Sequence, residues 1–302
     1  METMAYFTSM DSALVSLFGN GIQIRSRRRI SGGDVNAAFE LTLTGGKKIF
    51  MKANAKNKEA FFTAEAAGLA AIAQTGTIGT PHILCCGTEG GEDGYAFLLM
   101  ELLAGNSPAP RCWETFGYEL AALHRAPAAE FVPGGIFGFV RDNYIGAREQ
   151  KNTPAGNWRV FFRDCRLAPQ LRDGARYFDT TMQSKAFCLL EHVEELLLEP
   201  AYPSLLHGDL WSGNVITGKD GRVWLIDPAV YVGHAEADLA MTELFGGFPP
   251  EFYAAYKEAA PLAPGYEHRR DLYNLYHLLN HLNLFGSAYY PAVRRIVERY
   301  VP

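Results

Sequence analysis

Apolar positions along the chain fall into two regimes. Residues 8–19 repeat at helical spacing through Leu14, Leu17 and Phe18 and close at Gly19, which predicts a short helix. The pattern then turns to alternation. Residues 22–30 read as a strand, and Phe39, Leu41 and Leu43 alternate with polar neighbours. Residues 48–53 follow a Gly45-Gly46 pair, so two strands joined by a primed turn make a β-hairpin. The Ala-rich, proline-free stretch 58–74 predicts a helix, and beyond the Gly79-Thr80-Pro81 break residues 82–87 and 95–103 predict a second strand pair. Composition shifts at Gly105-Asn106-Ser107-Pro108. Beyond it helical spacing dominates, at 113–125, 157–173, 184–198, 236–245, 250–259, 268–285 and 289–300, interrupted by one β-island over 205–227. The predicted architecture is α+β and bilobal: a small antiparallel sheet lobe over 1–103, a mainly helical lobe over 104–302, and a ligand cleft between them.

Composition narrows the class. The 302 residues are 48% hydrophobic, and 28 Lys and Arg stand against 33 Asp and Glu for a net charge of -5. That balance offers no sequence-independent attraction to nucleic acid or to an anionic membrane. The local cluster Arg25, Arg27, Arg28 and Arg29 reads as a solvated strand edge. Five cysteines without repeated spacing, two of them adjacent at Cys85-Cys86, do not make a disulfide framework. No apolar run reaches membrane-spanning length and the start lacks a secretory pattern, so a cytoplasmic protein with reduced thiols is expected.

The chemistry concentrates in His207-Gly208-Asp209-Leu210-Trp211-Ser212-Gly213-Asn214 and in Val223-Trp224-Leu225-Ile226-Asp227. An acid ends one apolar strand, an amide follows five residues on, and a second acid ends the next strand after a tight turn that can bring Asn214 and Asp227 side by side. Carboxylate and amide oxygens with open positions suit Mg²⁺, which takes water and substrate phosphates for its remaining ligands. Asp209 could accept a proton from a hydroxyl nucleophile. Asp, four residues, Asn, then a strand-terminal Asp is the order used by kinases.

Such a site needs a nucleotide cradle upstream. Gly32, Gly33, Asp34 and Asn36 fall between two strands, where glycines let backbone N–H groups approach phosphate oxygens. Lys52 lies inside an apolar strand, and a buried ammonium needs a partner. Glu65, thirteen residues on along the Ala-rich helix, is the natural one. Glu101, Leu102 and Leu103 end the sheet lobe, where backbone groups can hydrogen-bond a purine edge.

With these residues in place, the chain resembles the fructosamine (ketosamine) kinases, a family with the protein-kinase-like fold of aminoglycoside and choline kinases. The resemblance runs nearly end to end. It is carried by residues 206–214, Asp227-Pro228-Ala229, residues 233–241, Asn143-Tyr144-Ile145-Gly146, Gln150, Asn152, Trp158, Phe161-Phe162, Arg166-Leu167 and Pro169-Gln170. It implies an ATP-dependent kinase that phosphorylates the O3 hydroxyl of ketosamines, free or protein-linked, in deglycation repair. Asp209 would be the catalytic base, Asn214 and Asp227 the Mg²⁺ ligands, and Lys52 the phosphate contact oriented by Glu65. Glu101, Leu102 and Leu103 would form the adenine-binding hinge. Asp238 would hold the catalytic-loop backbone, with His207 as a second structural residue, and Asn143, Gln150, Asn152 and Trp211 would contact the sugar.

Departures from the pattern sharpen the picture. Asp34 stands where some family members carry a redox-active cysteine, which argues against a thiol switch. Gly208 replaces the protein-kinase loop arginine, and the ten residues between Asp227 and Asp238 leave no room for a regulated activation segment. His277 and His281 have the i,i+4 spacing of metal ligands without a protease glutamate, and read instead as a satisfied polar cluster. Ser212 lacks the G-x-S-x-G setting of a hydrolase nucleophile, and Trp158, Phe161 and Phe162 read as core. Two rival functions stay open at this point: a kinase of another small hydroxyl compound, such as an aminoglycoside, choline or methylthioribose, and a pseudokinase acting through partners.

Overall fold

The structure is a computed structural model that describes residues 5–30, 36–91, 94–103, 105 and 107–301. Two compact units emerge: Met1–Cys112 with Ile216–Asp227, and Trp113–Val215 with Pro228–Pro302.

The first unit is built on a six-stranded sheet. In chain order it comprises β1 (Tyr6–Phe7), α1 (Met10–Phe18), β2 (Ile24–Ile30), β3 (Ala37–Leu43), β4 (Lys48–Ala55), α2 (Glu59–Gln74), β5 (Ile83–Glu89) and β6 (Tyr95–Glu101), with strand order β1-β5-β6-β4-β3-β2. The hairpin turn between β3 and β4 places Gly45 and Gly46 at φ +88° and +85°, the left-handed conformation a two-residue return needs. Alternation sorts the side chains. Leu41, Leu43, Ile49, Met51, Phe97 and Leu99 bury one face against Met10, Ala13 and Leu14 of α1, while Leu98 and Met100 pack the other face with Phe62 and Ala66 of α2. The antiparallel expectation holds for β2 through β6 but not for β1, which runs parallel to β5. A two-residue strand has no period for a sequence to display. Residues 25–29 of β2 are exposed at the sheet edge, as the arginine cluster suggests.

The second unit is mostly helical. Its elements include α3 (Cys112–Arg125), the hairpin β7 (Asn143–Ile145) and β8 (Arg148–Gln150), α4 (Trp158–Phe161), α5 (Ala168–Gly174), α6 (Thr180–Leu196) and β9 (Ser204–Leu206). The chain then visits the first unit through β10 (Val215–Thr217) and β11 (Val223–Leu225). It returns as β12 (Tyr231–Gly233), α7 (Glu236–Leu244), α8 (Pro250–Ala259), α9 (Tyr266–Phe285) and α10 (Tyr290–Tyr300). The visit is anchored within the first unit by Leu225 N–H donating to Gly79 O at 2.9 Å and Ala109 N–H donating to Gly221 O at 2.9 Å. Between α4 and α5 the helix widens into a π-helical segment over Phe162–Leu167. Such insertions re-aim side chains at functional sites, and this one buries Arg166 completely. Trp158, Phe161 and Phe162 are core, as read from their spacing. No helix among the described residues is long and apolar enough to cross a membrane, and all five cysteines are free thiols.

Candidate active site

In the first unit a charged cluster forms around Lys52. The residue is central in the sheet: β4 pairs on one side with Ala38 of β3 and on the other with Leu98 of β6. Its side chain, 9% exposed, donates to Glu65 Oε1 at 2.6 Å and also to Asp227 Oδ1. Burial alone would lower the Lys52 pKa, but the two carboxylates override it, raise the pKa and keep the ammonium charged. Burial pushes the Glu65 carboxyl up to about 6 against the pull of Lys52. Asp227, just beyond the end of β11, has φ +55°, a left-handed conformation rare outside glycine. Non-glycine residues held there cluster at functional sites because the surrounding fold must hold them in place.

Asn36, Glu101, Leu102 and Leu103, named from the sequence for the nucleotide, belong to the same unit. Asn36 enters β3 and accepts from Asn54 Nδ2 at 2.8 Å. Glu101 ends β6, donates its backbone N–H to His82 O at 2.8 Å and pairs through its carboxylate with Lys219 at 2.9 Å. Leu102 and Leu103 follow, half-buried. Gly32, Gly33 and Asp34 lie outside the described residues.

In the second unit the 207–214 loop is fixed from several directions. Asp238 on α7, 1% exposed, accepts the backbone N–H groups of His207 at 2.7 Å and Gly208 at 2.8 Å, and His124 Nε2 on α3 approaches it at 3.2 Å. Burial by itself would raise the Asp238 carboxyl; His124, His207 and the Gly208 amide reverse that and hold it below the usual carboxylate range. His207 is fully buried, and its Nδ1 accepts the Asp209 N–H at 3.3 Å. Gly208 sits at φ +81°, where an added Cβ would lie 2.0 Å from Ala229 O. The absence of the protein-kinase arginine thus has a steric cause. Asn214 is buried and donates from Nδ2 to Asp209 O at 2.8 Å and to Asp209 Oδ2 at 3.1 Å, so the ligand it can still offer is its amide oxygen.

Replacing Asp238 with asparagine puts an N–H donor where two backbone donors and His124 need an acceptor. The expected result is a loss of about 2–4 kcal/mol in stability, read as a lower melting temperature together with reduced turnover. An Asp238→Asn variant as stable and active as the parent would show that the loop does not depend on this carboxylate.

Asn143, Gln150 and Asn152 differ from the expected sugar contacts. All three are buried and committed to the protein. Asn143 Nδ2 donates to Val230 O at 2.7 Å, Gln150 Nε2 to Ala229 O at 2.9 Å and to Asn143 Oδ1 at 2.8 Å, and Asn152 Nδ2 to Asn143 Oδ1 at 2.9 Å. Tyr276 OH donates to Gln150 Oε1 at 2.7 Å, and Arg166 to Asn152 Oδ1 at 2.7 Å. The Arg166 guanidinium also lies 3.9 Å from the Tyr231 ring centroid. Side chains so thoroughly satisfied hold the Ala229-Val230 backbone, against which Gly208 packs, rather than a substrate. Trp211 is different: half-buried, its ring meets Phe245 edge-on at 6.0 Å. Sequence reading missed His124 and Tyr276, since a histidine ending one helix and a tyrosine within another carry no motif.

His277 departs from the satisfied cluster expected of it. The ring is 3% exposed, yet its Nδ1 has no hydrogen-bond partner, and the nearest carboxylate oxygen, Asp209 Oδ1, is 3.9 Å away. His281 Nδ1, one turn along, lies 2.8 Å from His277 O, and no group of three or more metal-ligating side chains gathers among the described residues.

The chain is similar to known proteins along nearly its whole length. The chain is 39% identical over 287 residues to a probable ketoamine kinase of Synechocystis, covering 93% of this chain and 92% of that one. It is 37% identical over 289 residues to the chloroplastic protein-ribulosamine 3-kinase of Arabidopsis thaliana, covering 94% and 85%. A solved candidate fructosamine-3-kinase of Haemophilus somnus superposes with a TM-score of 0.85 at 27% identity over 97% of both chains. More distant aminoglycoside phosphotransferases share the α+β, protein-kinase-like fold alone. The sequence profile of the fructosamine kinases matches residues 6–302. A match spanning that range, with the relatives agreeing along nearly their whole lengths, means that the chain belongs to the fructosamine kinase family and is an ATP-dependent phosphotransferase with a hydroxyl acceptor.

Proposed function

We propose that this protein is a ketosamine 3-kinase: it transfers the γ-phosphoryl group of ATP to the O3 hydroxyl of a sugar joined to an amine as a ketosamine, and so starts the removal of that sugar. The reading rests most on Lys52, a buried, charged lysine in a central strand, held between Glu65 and the left-handed Asp227. A sheet that needed only stability would fill that position with an apolar side chain, because a buried ion pair costs desolvation. An ammonium kept charged and oriented there suits phosphate.

In this reading Lys52 neutralises phosphate charge, Glu65 orients it, and Glu101, Leu102 and Leu103 take the adenine edge. Asn214 and Asp227 provide a neutral amide oxygen and a carboxylate, hard donors that fit Mg²⁺, an ion content with one or two protein ligands beside water and phosphate. When bound, the metal screens the charge of the transferring phosphate. Asp209, steadied by Asn214, orients the substrate hydroxyl and takes its proton late, since an ordinary carboxylate is too weak to ionise an alcohol in advance. Most of the rate then comes from alignment and charge stabilisation. His207 and Asp238 position the loop, Asn143, Gln150 and Asn152 stiffen the 229–230 segment beside it, and Trp211 contributes the sugar contact.

An ADP-coupled assay with ribulosamine, fructosamine and erythrulosamine adducts of lysine tests the proposal. ATP- and Mg²⁺-dependent turnover of at least one adduct, followed by release of free amine from the 3-phosphate, is expected. Turnover of choline or an aminoglycoside with none of any ketosamine would overturn it.

A further inference from the structure

The buried His277 ring has no place in the chemistry above, and its setting is unusual. It sits mid-way along α9, 3% exposed, with the Tyr276 ring centroid 5.1 Å from its own. Burial, with His281 and Arg166 adding to its effect against Asp238, pushes the imidazole down to about 3, so the ring is neutral at physiological pH and carries one N–H. A buried imidazole nitrogen left without a partner costs free energy, and native proteins seldom leave one without a reason. This one faces Asp209 Oδ1 at 3.9 Å, just beyond hydrogen-bond length. Asp209 is already held through its other carboxylate oxygen, Oδ2, by Asn214 at 3.1 Å. Contacts of catalytic groups are often long before substrate arrives and shorten in the reactive complex.

We infer that His277 is a positioning residue for the transfer reaction: its Nδ1–H closes onto Asp209 Oδ1 when the hydroxyl substrate engages, so that Asn214 and His277 together fix both oxygens of the carboxylate. The inference rests on the reading of Asp209 as the residue that meets the hydroxyl. It requires the tautomer with the proton on Nδ1, which makes His277 a donor to the carboxylate and leaves acceptance of the substrate proton to Asp209. No bond to His277 forms or breaks during transfer.

Two substitutions separate this role from mere packing. His277→Leu keeps comparable bulk and removes the donor, while His277→Asn can place an amide N–H near the Nδ1 position. The expected result for His277→Leu is a fall in kcat of about tenfold or more, the worth of a hydrogen bond to a charged group, with KM for ATP and for the ketosamine within about twofold and the melting temperature retained. His277→Asn should recover most of that loss. A His277→Leu enzyme with wild-type kcat, or a His277→Asn enzyme as slow as His277→Leu, overturns the assignment. Asp209→Asn measured in parallel distinguishes the two failures. If it is inactive while His277→Leu is fully active, the His277 role alone is wrong. If it is fully active, the reading of Asp209 fails and this inference fails with it.

Discussion

An Asp209→Asn enzyme should bind ATP nearly as well as the parent and turn over about 10²–10⁴-fold more slowly, the usual contribution of a positioned acid or base. The substitution preserves shape. The asparagine oxygen can still accept from Asn214 Nδ2, which approaches Asp209 Oδ2 at 3.1 Å, and the backbone carbonyl at 209 keeps its own bond to Asn214 at 2.8 Å. On the proposed reading, what disappears is the negative charge that attracts the hydroxyl proton as the phosphoryl group leaves ATP. The loss should therefore fall on kcat, with KM for ATP little changed, because Lys52 and Glu65 make their contacts in the first unit without help from Asp209. Steady-state kinetics with a ketosamine, paired with a nucleotide-binding titration, give both numbers. Turnover within a few-fold of the parent would remove Asp209 from the chemistry.

The second large effect belongs to a residue with no side chain. Gly208→Ala should cost about 3 kcal/mol or more and remove most activity. The backbone there has φ +81°, which disfavours any Cβ, and that Cβ would sit 2.0 Å from Ala229 O. Ala229 cannot easily yield. Its N–H donates to His207 O at 2.8 Å and its carbonyl accepts from Gln150 Nε2 at 2.9 Å. Gln150 is in turn fixed by Tyr276 and Asn143. Relief therefore has to come from the 207–214 loop itself, which carries Asp209. Thermal unfolding and kcat measured on the same preparation should fall together. A stable, active Gly208→Ala protein would show that the loop has more room than its packing allows.

Much of this was legible in one dimension. Helices such as α3, α8 and α10 begin and end within a residue or two of the expected bounds, because amphipathic spacing and Pro or Gly punctuation act locally. The pairing of Lys52 with Glu65 followed from electrostatics alone: an ammonium placed in an apolar strand demands an anion, and the next helix supplies one. Asp209, Asn214 and Asp227 stand out as candidates in the sequence because phosphoryl transfer restricts which residue types can stand at those spacings.

Other features were invisible for the opposite reason. Asn143, Gln150 and Asn152 look like free polar side chains in a loop-rich stretch. Only their burial against Ala229 and Val230, some eighty residues away, turns them into scaffold. His277 looks like half of a histidine pair, and whether its nitrogen is satisfied depends on where a loop almost seventy residues earlier in the chain comes to rest. Local periodicity, capping and the chemical demands of a reaction are written into short stretches of chain, so the sequence by itself determined most of the elements and the family, and it supplied the reacting groups proposed above. Burial and hydrogen-bond satisfaction depend on what the rest of the chain brings to a residue, so tertiary structure alone decided which polar side chains are spent on the protein and which remain for the substrate.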